Sequence, residues 1–180
     1  MMRKTVFWFA NIVGPLILLS YWRGVGAFDD PSVYWGNVPE GMQSFIVPWM
    51  FMAAVAYLVM FHRFFLAWSE EEVASLHWPW KESDGKGVQR LFALYAAFLL
   101  TSLIWIDLTR IYIEGPSMLV AVAIVAVLWT AGLASVGFGV LVWPARERLH
   151  DANGVMFGSF MLSIQCMWWD AIYWVLNFAW

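Results

Sequence analysis

The sequence predicts an all-α protein, an integral membrane bundle of five transmembrane helices forming one domain over residues 1–180. Three observations predict it. Hydrophobic residues make up 62% of the chain and charged residues 13%, where a soluble domain carries about a quarter charged. A chain of 180 residues is too short to bury that much apolar surface within itself, so lipid must solvate the excess. Five stretches, at about 5–22, 45–67, 90–112, 117–143 and 155–178, reach the roughly 20 mostly apolar residues that a bilayer crossing needs. Backbone groups in lipid must pair within their own segment, which makes these stretches helices. The alternating pattern of a membrane barrel is absent.

The first span follows Arg3 and Lys4, as a signal peptide would. Its apolar run is too long for a signal, so a retained anchor is expected. Gly14-Pro15 falls mid-span, where proline removes a backbone hydrogen bond and kinks the helix. The connection over 22–44 contains Asp29, Asp30, Pro31, Tyr34, Trp35, Pro39 and Glu40. It is too aromatic for a plain linker and reads as a lid. The second span ends near His62 and Arg63. The 68–89 connection reads as a solvated loop in which Glu70, Glu71 and Glu72 are answered by Lys81 and Lys86. Its Trp78-Pro79-Trp80 is expected to rest on lipid headgroups.

On the third span Asp107, Arg110 and Glu114 share one helix face, with Arg110 in reach of Asp107. The fourth span carries Ala131, Gly132, Ser135, Gly137 and Gly139. Small residues let backbones approach, which places this helix at the bundle centre or at a subunit contact. On the fifth span Ser163, Cys166, Asp170, Tyr173 and Asn177 form a stripe at helical spacing, with Trp174 beside it.

Positive charge sets orientation. Arg3, Lys4, Arg63, Lys81, Lys86, Arg90, Arg146 and Arg148 fall on one side, and Arg23 and Arg110 on the other. The expected topology is N-terminus inside and C-terminus outside, in a membrane the sequence does not name. A net charge of -3 gives no reason to expect nucleic acid as a partner. The single cysteine, Cys166, has no intrachain partner. His62, His77 and His150 show no facing pair of the kind a membrane haem needs. No serine or cysteine has a neighbouring base at readable spacing. Thus no metal site, no cofactor and no catalytic set can be read, and whether the protein is an enzyme stays open.

Fourteen tryptophans exceed what membrane anchoring needs. Trp22, Trp68, Trp143 and Trp180 sit where interfacial belts are expected. Trp105, Trp129, Trp168 and Trp169 fall inside spans, as packing residues or a ligand cage. An ionisable side chain at mid-membrane costs about 2.5–3.5 kcal/mol on insertion scales, so it needs a partner or a function. By helical rise, Asp107 lies roughly 25 Å above Arg90, and Asp170 roughly 22 Å above Val155. Both belong to the outer half. There the expected pocket gathers Trp49, Trp105, Asp107, Arg110, Cys166, Trp169, Asp170, Tyr173, Trp174 and Asn177 beneath a lid of Tyr34 and Trp35. The plainer alternative makes Asp107–Arg110 an interfacial ion pair and has Asp170 hydrogen-bond a neighbouring helix.

Three stretches carry a family resemblance. Phe45-Ile46-Val47-Pro48-Trp49 is followed by Ala53, Ala54, Ala56 and then Tyr57-Leu58-Val59. Leu99-Leu100-Thr101-Ser102-Leu103-Ile104-Trp105 lies on the third span, and Leu176-Asn177-Phe178-Ala179-Trp180 closes the fifth. In these the chain resembles the translocator protein family, also called tryptophan-rich sensory proteins. The family's Trp-x-Pro-Pro motif before the second helix is represented only by Trp35 and Pro39, and Ser102 stands where asparagine is usual. The resemblance implies a pocket for tetrapyrroles, sterols or similar lipophiles, lidded by the first loop. Trp49, Trp105 and Asn177 match its motif positions. Asp107 and Asp170 suit a neutral or cationic lipophile better, since carboxylates repel an anionic porphyrin.

The expected function is binding or transport of a lipophilic small molecule. The alternatives are a structural subunit of a larger membrane complex and a membrane-embedded enzyme using Asp107 and Asp170 as acid and base. Expected partners are the lipid bilayer, the lipophile, and a second copy in a homodimer or other membrane subunits.

Overall fold

The computed structural model describes residues 2–180. Among them, five helices are long and apolar enough to cross a membrane: Met2–Val25, Glu40–Ala67, Gly87–Glu114, Met118–Ala145 and Ala152–Asn177. No strand occurs among the described residues. This is the architecture of a multi-pass membrane protein. Most helices overrun the apolar stretches because polar residues take their terminal turns. The second helix, for example, starts at Glu40 directly after Pro39, with the acid near the positive end of the helix dipole.

The helices pack in the order first, third, fourth, fifth, second. At the end holding Arg3, Arg63 and Arg90, here the basic end, the first helix also meets the second. Arg3 donates from Nε to the Phe64 carbonyl at 3.1 Å and from Nη2 to the Trp68 carbonyl. The Phe7 ring lies 5.5 Å from Phe61 and 6.0 Å from Phe65. Here Met60, Phe64, Tyr95, Phe138 and Leu141 are fully buried. A second apolar cluster at the far end joins Ile46, Tyr112, Ile124, Ala171, Trp174 and Phe178.

The small residues of the fourth helix are used within the chain. A Cβ on Gly132 would stand 3.1 Å from Met167 Cα, and one on Gly137 2.5 Å from Leu94 Cδ2. Ser159 accepts from the Gly139 amide at 2.8 Å and donates to the Ser135 carbonyl at 2.7 Å. The fourth helix therefore sits between the third and the fifth at close approach.

The connection over 68–86 differs from the expected solvated loop. Ser69 caps a short helix, Glu70–Ala74, in a reciprocal capping box with Glu72. Val73 and Leu76 are fully buried against the basic end. The expected pairing of the glutamates with Lys81 and Lys86 is not what orders this segment. Glu72 is used by the cap, and the lysine and arginine contacts converge on Asp84 instead. Trp78 and Trp80 stack at 5.7 Å with planes 4° apart, and Trp80 is exposed.

Desolvation works to raise the Asp84 pKa, but the Lys86 amide, the Arg90 hydrogen bond and the charges of Arg90 and Lys81 outweigh it, bringing it down to about 2. A depressed folded-state pKa stabilises the fold above the ordinary value of 3.8, and that stability is lost as pH falls toward about 2. We expect Asp84→Asn to flatten the acid limb of a melting-temperature profile between these limits. A wild-type limb unchanged in the variant would refute this role.

Two stretches depart from α-helical pitch. Arg63–Ala67 and Ile164–Trp174 are π-helical, with hydrogen bonds running from i to i+5. The second stretch changes which residues share a face, with consequences for the site. It also turns Trp168 outward, and Trp129 on the fourth helix likewise faces away from the bundle. Neither belongs to an internal cage.

Candidate functional site

The first and second helices, packed together at the basic end, leave a cavity between them further along. Its volume is about 470 Å³, and all five helices line it. Its walls are apolar and aromatic, from Tyr57, Phe61, Phe98, Leu128 and Leu162. Ala53, Ala54 and Ala131 keep the space open because their side chains are short. Lining residues on the first and second helices are themselves exposed, among them Pro15, Leu18, Ala54 and Leu58. The cavity thus opens sideways, where lipid would stand. Pro15 lacks an amide hydrogen, and Gly14 presents no side chain at this mouth.

The polar groups gather toward the far end. Trp105 on the third helix donates its indole N–H to the Tyr21 hydroxyl on the first. Gln165 on the fifth helix donates from Nε2 to Asp170 Oδ1 at 2.8 Å. The π-helical pitch is what brings these two, five residues apart, onto one face. A carboxylate only accepts, so the amide must turn its NH₂ toward it and its oxygen away. Among the described residues Gln165 Oε1 finds no donor, although Gln165 is buried. Thr101 and Ser102 also line the cavity, but their hydroxyls are satisfied by carbonyls one turn back.

Of the residues expected in the pocket, the structure brings together Trp105, Cys166 and Asp170. Asp107 lies elsewhere. Its Oδ2 accepts from Arg23 Nη2 at 2.6 Å, and Arg110 Nε stands 4.0 Å from Oδ1 while pairing with Glu114 at 3.1 Å. This ion network sits on the outer surface of the first and third helices, above a groove formed with Leu16, Leu19 and Ile104. The two acids therefore do not face a shared space, and Asp107 and Arg110 leave the proposed site. The reason is geometric: Arg23, at the end of the first helix, reaches Asp107 first.

The remaining aromatics pack the far end instead of lining the cavity. Trp174 donates to the Tyr34 carbonyl at 2.8 Å, stacks on Phe178 at 4.3 Å and meets Trp105 edge-on at 5.6 Å. Trp169 lies edge-on to Tyr173 at 5.4 Å and to Phe45 at 5.7 Å, and Phe45 stacks on Trp49 at 6.4 Å. Asn177 donates to the Tyr173 carbonyl, and its own carbonyl accepts from the Asn37 amide at 2.9 Å.

Tyr34 and Trp35 belong to a 3₁₀ turn, Pro31–Trp35, capped by Asp30. Hydrogen bonds from Ser32 hold the Asp30 carboxyl below its usual range. The Tyr34 hydroxyl donates to the Gly24 carbonyl at 2.8 Å. Gly36 then takes φ +58, and a Cβ there would fall 2.9 Å from Phe178 Cα. The loop is thus fastened to the ends of the first and fifth helices as a cap.

Compared with family models, curated proteins and solved structures, the chain matches none.

Proposed function

We propose that the protein binds a lipophilic small molecule in the central cavity, which enters from the bilayer between the first and second helices. The observation that carries this reading is a cavity of about 470 Å³ lined by all five helices. Small-molecule sites are usually preformed, mostly apolar and fitted with few polar groups, and volumes of about 300–1,000 Å³ are typical. The resemblance to the translocator protein family points the same way, toward sterols, tetrapyrroles or similar lipophiles, and Trp105 is the motif residue that lines the cavity. The excess of positive charge at the basic end favours placing that end in the cytoplasm and the capped end outside. Transport would require the ligand to pass the cap, which is fastened at Tyr34, Asn37 and Gly36. Binding from the membrane requires no such opening.

The competing readings have lost specific support. Glycines that suggested a subunit contact are occupied by Met167, Leu94 and Ser159 of the same chain. The acid–base pair has no common space, as Asp107 is held by Arg23.

The reading is tested at the mouth. A Cβ on Gly14 meets nothing within 4 Å, so a larger side chain fits there without a backbone clash. We expect Gly14→Leu and Ala54→Phe to narrow the mouth and weaken binding roughly tenfold. The probe is a brominated sterol titrated into protein in lipid nanodiscs, read as saturable tryptophan quenching. Trp105→Phe should remove most of the saturable component. Quenching that is equal in all three variants and the wild type would place binding, if any, outside this cavity.

A further inference from the structure

The chemistry at the polar end of the cavity narrows the ligand class. Asp170 and Gln165 present oxygen acceptors: Asp170 Oδ1 accepts from Gln165, and among the described residues the buried Gln165 Oε1 has no donor. Among the described residues no lysine, arginine or histidine lines the cavity. Arg23 and Arg110 are paired elsewhere, with Asp107 and Glu114. An acid in the membrane interior needs a counter-charge or a donor, and among the described residues only the Gln165 amide donates to it. At this end stand the rings of Tyr21 and Trp105. Indole and phenol faces attract cations, more strongly when water is excluded.

From this geometry we infer that the cavity selects a lipophilic amine, whose protonated nitrogen pairs with Asp170 while its apolar body fills the space toward Phe61 and Phe98. The inference rests on the cavity reading above and adds the charge of the ligand to it. The ammonium supplies donors to both acceptors, and a charge-assisted bond to a carboxylate is about twice as strong as a neutral one. The polar groups gather at the far end of the site, so the apolar body of the amine lies toward the basic end. An anionic lipophile would place like charge against Asp170 and is excluded.

The test uses three matched probes built on one tricyclic aromatic body: an aminopropyl chain, its uncharged butyl isostere, and a carboxylate of equal length. Each is titrated into full-length protein in phosphatidylcholine nanodiscs, with empty nanodiscs correcting for partition into lipid. The amine is expected to bind roughly tenfold or more tighter than the isostere, and the carboxylate not to saturate. Asp170→Asn is expected to bring amine and isostere to equal affinity while leaving isostere binding intact, which also reports that the variant is folded. Equal binding of amine and isostere by the wild type overturns the inference and leaves the cavity reading standing. Saturation by none of the three overturns both. A preference that survives in Asp170→Asn places the cation elsewhere and overturns the role of Asp170. If the variant does not fold, the wild-type comparison decides alone.

Discussion

Gly87→Ala is expected to destabilise the protein strongly, although alanine is the better helix former. On propensity alone the change would stabilise a helix by roughly 0.5–1 kcal/mol. The surroundings reverse that sign. A Cβ on Gly87 would lie 2.0 Å from the Val73 carbonyl oxygen and 2.9 Å from both the Ala74 oxygen and the Leu76 nitrogen. All three are backbone atoms, so no rotamer change relieves the contact. The 68–86 segment must leave its seat, carrying Val73 and Leu76 out of full burial. Losing two such side chains costs about 3–6 kcal/mol. The Arg90 hydrogen bond to the Leu76 carbonyl goes with them. Thermal unfolding in detergent should show the loss, and limited proteolysis should cut within 68–86. Gly154→Ala is the control, since its Cβ meets nothing within 4 Å. Equal melting temperatures for Gly87→Ala and the wild type would contradict the seating of this segment.

The second large effect is expected at Trp174. This indole joins the cap to the bundle through the Tyr34 carbonyl, and it fills the far-end cluster between Phe178, Trp105 and Trp180. Truncation to alanine leaves a void where packing atoms stood, at about 3–5 kcal/mol for a buried aromatic. Trp174→Phe should retain the ring stack and lose chiefly the indole hydrogen bond, about 1 kcal/mol. The alanine variant should also expose the capping loop to hydrogen exchange at 31–38, a change the phenylalanine variant shows only weakly. If both variants exchange this loop as slowly as the wild type, the cap is held by other contacts.

The five spans were legible because lipid imposes one requirement on every residue of a crossing segment, and composition reports it directly. The small residues of the fourth helix were legible for a similar reason: close approach demands small side chains wherever the partner lies. The site was legible only in part. Trp105, Cys166 and Asp170 announced themselves as groups out of place in lipid. The partner of Asp107 was not legible, because Arg23 is 84 residues away and only the packing of the first helix on the third brings them together. Gln165 was missed for a different reason. At α-helical pitch, residues five apart point in different directions, and nothing in the sequence marks the stretch where the pitch widens. The 68–86 segment looked solvated because Val73 and Leu76 are two apolar residues among many charges. Seating a loop takes no more than that when the right glycine lies beneath it.

The widened stretch of the fifth helix divides that helix into two halves of different pitch. Over Ala152–Ser163 the helix is indexed on four residues and grips the second and fourth helices through Val155, Gly158, Ser159 and Leu162. Beyond Ile164 it is indexed on five, and the same rod turns a different set of side chains inward. The widened half still packs, through Met167 against Gly132 and Trp174 against Phe178. What changes at Ile164 is the period on which inward positions recur, so Gln165 and Asp170 meet in a cavity where four-residue spacing would have kept them apart.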